Sequence, residues 1–156
     1  MQIQQAIEIA RRLNLIGPVA EQPEYSMLKR EKFEVEFEPL WRNEGYGRYI
    51  VLVSMIPRLL MLRPSYSTIF SALAAGFLTG KYNDGLPEGS RYHVNPSGNM
   101  DQRLKYLNSD EGKVMVQKVR ELTKVAEELG GSMTNLALAW TLKHPNVSTC
   151  IVSLPS

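Results

Sequence analysis

The residues best suited to chemistry lie in one stretch, Thr68-Ile-Phe-Ser-Ala-Leu-Ala-Ala-Gly-Phe-Leu-Thr-Gly-Lys-Tyr82. Gly76 and Gly80 carry no β-carbon, so backbone there can approach a ligand closely. Lys81 follows with a compact point charge of the kind that binds phosphate. Ile69 to Leu73 is short, apolar and bounded by turn residues, which predicts a strand buried on both faces. A strand end, a glycine-bounded loop and a lone cation describe either a phosphate or nucleotide site or an ordinary strand and turn.

Other polar groups have weaker claims. Glu21, Gln22 and Tyr25 close a short strand predicted over Val19–Tyr25, where they are either site residues or loop polarity. Arg91 falls in a long Gly-, Pro-, Asn- and Ser-rich loop from Tyr82 to Lys105, of the kind that is functional or disordered. His93 and His144 have no Asp, Cys or second His at metal-ligand spacing, so a metal site is not expected. The single cysteine, Cys150, excludes an internal disulfide and fits a reducing compartment.

The elements that must position these groups alternate between helix and strand. Ile3, Ala6, Ile7, Ala10 and Leu13 give a first helix one apolar stripe, ended by Gly17-Pro18. Lys29 to Asn43 embeds Phe33, Phe37, Leu40 and Trp41 around Pro39, predicting an irregular or short helix with the proline in its first turn. Met115 to Leu129 repeats apolar residues at helical spacing and is closed by Gly130-Gly131. Ser132 caps a further helix that Pro145 ends, and Val147–Val152 reads as a last strand. In 156 residues with 44% hydrophobic content, this is one domain's worth of core. The charge of +2 is spread along the chain, with no basic cluster of the kind nucleic-acid binding requires.

Several words of this sequence resemble the aldo-keto reductases, in the branch of the potassium-channel β subunits and related fungal reductases. They are Phe70-Ser71-Ala72-Leu73-Ala74-Ala75-Gly76, Thr79-Gly80-Lys81-Tyr82, Gly85-Leu86-Pro87 and Ser90-Arg91. Glu21-Gln22-Pro23-Glu24-Tyr25 precedes them and Leu136-Ala137-Leu138-Ala139-Trp140 follows, in family order. The resemblance implies an α/β fold, a partial (β/α)8 TIM barrel holding about strands six to eight with their helices. It implies NADP as cofactor: Gln22 to the nicotinamide carboxamide, Phe70 stacked on the nicotinamide, Ser71 and Leu73 facing the diphosphate, Lys81 in the same cofactor site and Arg91 toward the adenosine end. Phe70, Ser71 and Leu73 would suit a buried strand in any case. Gly89 stands where the branch commonly has an aromatic.

The family's proton donor is a tyrosine tuned by lysine and aspartate, with a histidine orienting the carbonyl substrate. These sit on the first four or five strands, and no residue here matches them, so no catalytic residue is expected and the chain alone should be inactive. A non-catalytic regulatory or binding subunit is the alternative. A partial barrel also leaves two strand edges unpaired, which favours poor stability in isolation.

The chain departs from the family at residues 48–67, an apolar insertion that includes Ile50–Leu62. Three readings stand: an extra element; a partner-binding or membrane-surface patch; or a retained intron, since Arg48-Tyr49 and Tyr66-Ser67 can be spelled with splice signals. Val152-Ser153 can be spelled likewise, where the family pattern is also left. Ile50–Leu62 is too short to span a bilayer, which takes about 20 apolar residues. With no secretory signal in the opening helix, a cytoplasmic protein is expected.

Overall fold

A computed structural model of the protein describes residues 2–46, 66–90 and 105–152. Residues 48–65 of the insertion expected at 48–67, Arg91, His93 and the carboxyl end from residue 153 lie outside them. The elements are α1 (Gln2–Arg12), β1 (Ala20–Glu21), a π-helical turn (Lys32–Glu36), α2 (Glu38–Asn43) and β2 (Tyr66–Ile69). There follow a 3-10 segment (Ala74–Thr79), α3 (Asp110–Glu128), α4 (Met133–Leu142) and β3 (Thr149–Cys150). The chain divides into two compact units, Met1–Ala72 with Trp140–Ser156, and Leu73–Ala139.

The first unit holds a parallel sheet in the order β1-β2-β3. Ala20 pairs with Tyr66 and Glu21 with Ser67, while Thr68 pairs with Thr149 and Ile69 with Cys150. Parallel neighbours need a crossover between them, which the intervening helices supply. β1 is brief because Pro23 has no N–H to give the ladder, and pairing resumes only at the bridge between Glu24 and Phe70. On the buried face, Ser67, Ile69, Pro23 and Tyr25 are all enclosed. An aromatic cluster completes this core: Tyr25 stacks on Phe33 at 4.3 Å between ring centroids, Phe33 lies 4.8 Å from Trp41, and the Trp41 indole donates to the Phe33 carbonyl at 2.8 Å. Pro39 falls in the first turn of α2, as expected from its fixed φ.

In the second unit, α3 starts at Ser109, whose hydroxyl accepts from the Gly112 N–H at 3.1 Å, and runs to Gly130 in left-handed conformation (φ +75°). Ser132 likewise accepts from the Asn135 N–H, at the start of α4. Leu78, Tyr82, Val119, Ala126, Met133 and Ala137 form the buried core.

Strand boundaries differ from expectation: β1 and β3 cover only Ala20–Glu21 and Thr149–Cys150 of the predicted Val19–Tyr25 and Val147–Val152. The strand predicted over Ile69–Leu73 occupies Tyr66–Ile69, with only the Phe70 bridge beyond, because Ser71 turns to φ +62° and leaves the β region. Ser67, counted with the insertion from its sequence, is therefore a buried strand residue paired with Glu21. Among the described residues, no helix is long and apolar enough to cross a membrane, and no group of three His, Cys, Asp or Glu side chains is placed to hold a metal.

Candidate functional site

One register relates β1 to β2, since Ala20, Glu21 and Glu24 stand opposite Tyr66, Ser67 and Phe70. Carried through, it sets Gln22 level with Thr68 and one step from Phe70. Side chains alternate across a strand, so Gln22, Glu24, Thr68 and Phe70 share the face opposite Ile69 and Tyr25. That face is open: Gln22 is exposed, Phe70 is 43% exposed, and Ile151 beyond β3 is exposed as well. An aromatic ring held at a strand end without being buried is available to a flat partner. Its backbone is fixed, for the Phe70 N–H donates to the Pro23 carbonyl at 3.1 Å and its carbonyl accepts from the Tyr25 N–H at 3.2 Å.

Beyond Phe70 the backbone visits positive φ repeatedly: Ser71 at +62°, Ala74 at +47°, Ala75 at +56° and Gly76 at +97°. Three of these are not glycine, and such conformations persist only where surrounding structure imposes them. In the second unit, the Leu73 carbonyl accepts from the N–H groups of Gly76 and Leu78, which folds the chain tightly. The Thr79 hydroxyl donates to the Gly76 carbonyl at 2.7 Å, and the Lys81 N–H donates back to the Thr79 oxygen at 3.3 Å.

The Lys81 side chain then returns over Gly76. A β-carbon added to Gly76 would lie 3.1 Å from Lys81 Cε and 3.4 Å from its Nζ. The ammonium also sits 5.0 Å above the Tyr82 ring centroid, a cation–π distance. Lys81 is exposed, so a charge held beside bare backbone faces solvent. Such a cradle fits an anionic group.

The residues expected from sequence thus fall into two described sets. Gln22, Phe70 and Ser71 gather at the ends of β1 and β2 in the first unit, and Leu73 and Lys81 belong to the glycine loop in the second. Arg91 lies outside the described residues. The open face adds Thr68 and Glu24, which the alternation of strand residues would have indicated had the strand been started three residues earlier, at Tyr66. Glu24 accepts from Lys29 Nζ at 2.9 Å.

Behind the face stands a charged network. The Tyr25 hydroxyl donates to Glu34 at 2.7 Å, and Arg30 grips both oxygens of Glu34 at 2.9 to 3.1 Å. Those hydrogen bonds from Arg30 hold the Glu34 carboxyl below the usual carboxylate range, despite partial burial. Burial, followed by the neighbouring Glu34, pushes the Tyr25 phenol well up, so it stays a neutral donor. His144, edge-on to Tyr25 and Phe33, is pushed down by burial and stays neutral near pH 7. Burial also raises the Cys150 thiol, which disfavours its thiolate.

Residues 68–156 match the model of the aldo/keto reductase family. The chain is 42% identical over 151 residues to a Schizosaccharomyces pombe protein that carries the name of a voltage-gated potassium channel subunit beta, covering 97% of this chain and 37% of that protein. An Arabidopsis thaliana protein bearing the same name is 40% identical, with 96% of this chain and 38% of that protein covered. Among solved structures, the glycerol dehydrogenase from Gluconobacter oxydans superposes with a TM-score of 0.52 at 18% identity, over 92% of this chain and 35% of that one. The chain therefore spans well under half the length of the relatives it matches. With its parallel sheet, intervening helices and matching residues, the chain belongs to the aldo/keto reductase family.

Proposed function

We propose that this chain is the cofactor-holding, carboxyl-terminal portion of an NADP-dependent aldo-keto reductase, and that its three strands are the last three of a (β/α)8 barrel. The observation that carries the reading is the open sheet face, where Phe70 offers an uncovered ring one step from Gln22. In this reading the Gln22 amide pairs with the nicotinamide carboxamide, using its donor and acceptor together. Phe70 stacks on the nicotinamide ring, and Ser71 and Leu73 face the diphosphate. Lys81 neutralises phosphate charge beside Gly76, and Arg91 supplies a guanidinium fork to the 2′-phosphate. When bound, NADPH supplies the hydride for carbonyl reduction.

Proton donation to the developing alkoxide needs the family's tyrosine, lysine, aspartate and histidine, which by resemblance have no counterpart in these 156 residues. We therefore expect the chain to bind NADPH without turning it over. The insertion expected at residues 48–67 is proposed as foreign to the family pattern up to residue 65, Tyr66 and Ser67 belonging to β2, with the run 50–62 a candidate contact for a protein partner. A non-catalytic subunit is the second reading, favoured by relatives named for a potassium-channel β subunit.

Titration of NADPH fluorescence against the purified chain, followed by addition of a small aldehyde, tests both. Saturable binding without oxidation is the expected result. Carbonyl-dependent oxidation would overturn the assignment of inactivity, and the absence of binding would overturn the cofactor reading.

A further inference from the structure

The open face depends on a residue that does not belong to it. Tyr25 is 1% exposed, and its ring is held on several sides: stacked on Phe33, 5.3 Å from the Trp140 ring and edge-on to His144 at 5.6 Å. Its hydroxyl is fixed by Glu34, which Arg30 holds with both nitrogens of a fork, while the Arg30 guanidinium lies 5.3 Å over the Trp140 ring. At the other end of the same residue, the Tyr25 N–H donates to the Phe70 carbonyl, and the Phe70 N–H returns to Pro23. These are the hydrogen bonds that continue the sheet past Pro23, where the ladder is interrupted. Without them, Phe70 would be flanked only on the β3 side, where the Ile151 N–H donates to the Ile69 carbonyl at 2.9 Å, before the chain turns to positive φ at Ser71.

We propose that Tyr25 is a positioning residue for the nicotinamide end of the cofactor: its anchored side chain fixes its own N–H, which holds the Phe70 backbone and sets the Phe70 ring beside Gln22. The inference rests on the cofactor reading above. Tyr25 does not touch the open face, so it acts through Phe70 and has no part in binding by itself. The arrangement is built to hold position, because the hydroxyl is a buried donor to a carboxylate that is itself doubly bonded. A plain core aromatic would need only the ring.

The test compares two ligands, NADPH and 2′,5′-ADP, which carries the phosphates and adenosine but no nicotinamide. Tyr25→Phe keeps the ring packing and removes the hydroxyl, and Glu34→Ala removes its acceptor. Each is checked for unchanged far- and near-ultraviolet dichroism, then titrated by calorimetry and by NADPH fluorescence. Loss of one such hydrogen bond should weaken NADPH by about threefold to tenfold. Binding of 2′,5′-ADP should stay unchanged in both variants, and the double variant should lose little more than the worse single one, since both break the same bond.

Equal weakening of both ligands would mean general loosening and would overturn the positioning role. So would unchanged NADPH affinity, or losses that add in the double variant. Failure of the unaltered chain to bind either ligand would instead remove the cofactor reading, and this inference with it.

Discussion

Gly76 and Gly85 both adopt positive φ, +97° and +112°, yet only one of them is crowded. A β-carbon at Gly76 would meet Lys81 Cε at 3.1 Å, Tyr82 Cε2 at 3.2 Å and Lys81 Nζ at 3.4 Å, whereas at Gly85 nothing lies within 4 Å. Left-handed backbone costs an L-residue roughly 1–2 kcal/mol, and that cost is common to both alanine substitutions. At Gly76 a second cost is added. The Lys81 side chain is exposed and can swing aside cheaply, but the Tyr82 ring is buried and cannot. Forcing a methyl group against a packed ring costs typically about 1–3 kcal/mol.

Gly85→Ala should therefore lose about 1–2 kcal/mol, and Gly76→Ala about 2–5 kcal/mol once overpacking is included. Urea unfolding followed by circular dichroism reads the difference as a lower midpoint for Gly76→Ala at similar slope. The same variant should weaken 2′,5′-ADP binding, because Lys81 must leave its place beside Gly76, while Gly85→Ala should not. Equal midpoints for the two variants would refute the reasoning, since they would show that neither Lys81 nor Tyr82 crowds Gly76.

Three further outcomes are expected. Gly112→Ala should unfold the second unit at markedly lower temperature, by several degrees or more for a loss above about 2 kcal/mol, because the added carbon would overlap the Tyr106 carbonyl and lies 2.7 Å from its carbon. A melt matching the unaltered chain would count against the packing of Tyr106 on α3. Glu34 is held below its ordinary range in the fold, so its contribution is present above the unfolded carboxylate value, about pH 4.3, and is lost as pH falls through the lowered one. Glu34→Gln should flatten that acid limb, and an unchanged acid limb in pH-dependent urea titrations would show that the Arg30 pairing is unimportant. Deleting residues 48–65 should leave cooperative unfolding intact, because the pairs that join β2 to β1 and β3 run from Tyr66 to Ile69. Loss of the transition would mark the insertion as part of the fold.

Much of the architecture was legible because it follows from local rules. Pro39 in the first turn of α2, Gly130 at φ +75° and the Ser132 cap are set by residue type within a few positions. The start of α3 was less so: apolar periodicity begins at Met115, but Ser109 caps the helix at Asp110, a turn rich in charge that carries no stripe. The strand boundary failed for a different reason. From Ile69 to Leu73 every residue but Ser71 is apolar, and nothing in the composition announces that Ser71 takes φ +62°.

The candidate site divides along the same line. Gly76 and Lys81 are recognisable as a bare backbone and a charge, while the return of the lysine over the glycine is a tertiary fact. Gln22 and Phe70 lie far apart in sequence, and only the register of two parallel strands makes them neighbours on one face. Tyr25 shows how far reading by polarity can mislead. Beside Gln22 it looks like another polar residue at a strand end, yet it faces the opposite side, buried, with its hydroxyl satisfied by Glu34 nine residues on. The face of a strand residue follows from parity and register, and Pro23 conceals both by interrupting β1 where they would be read.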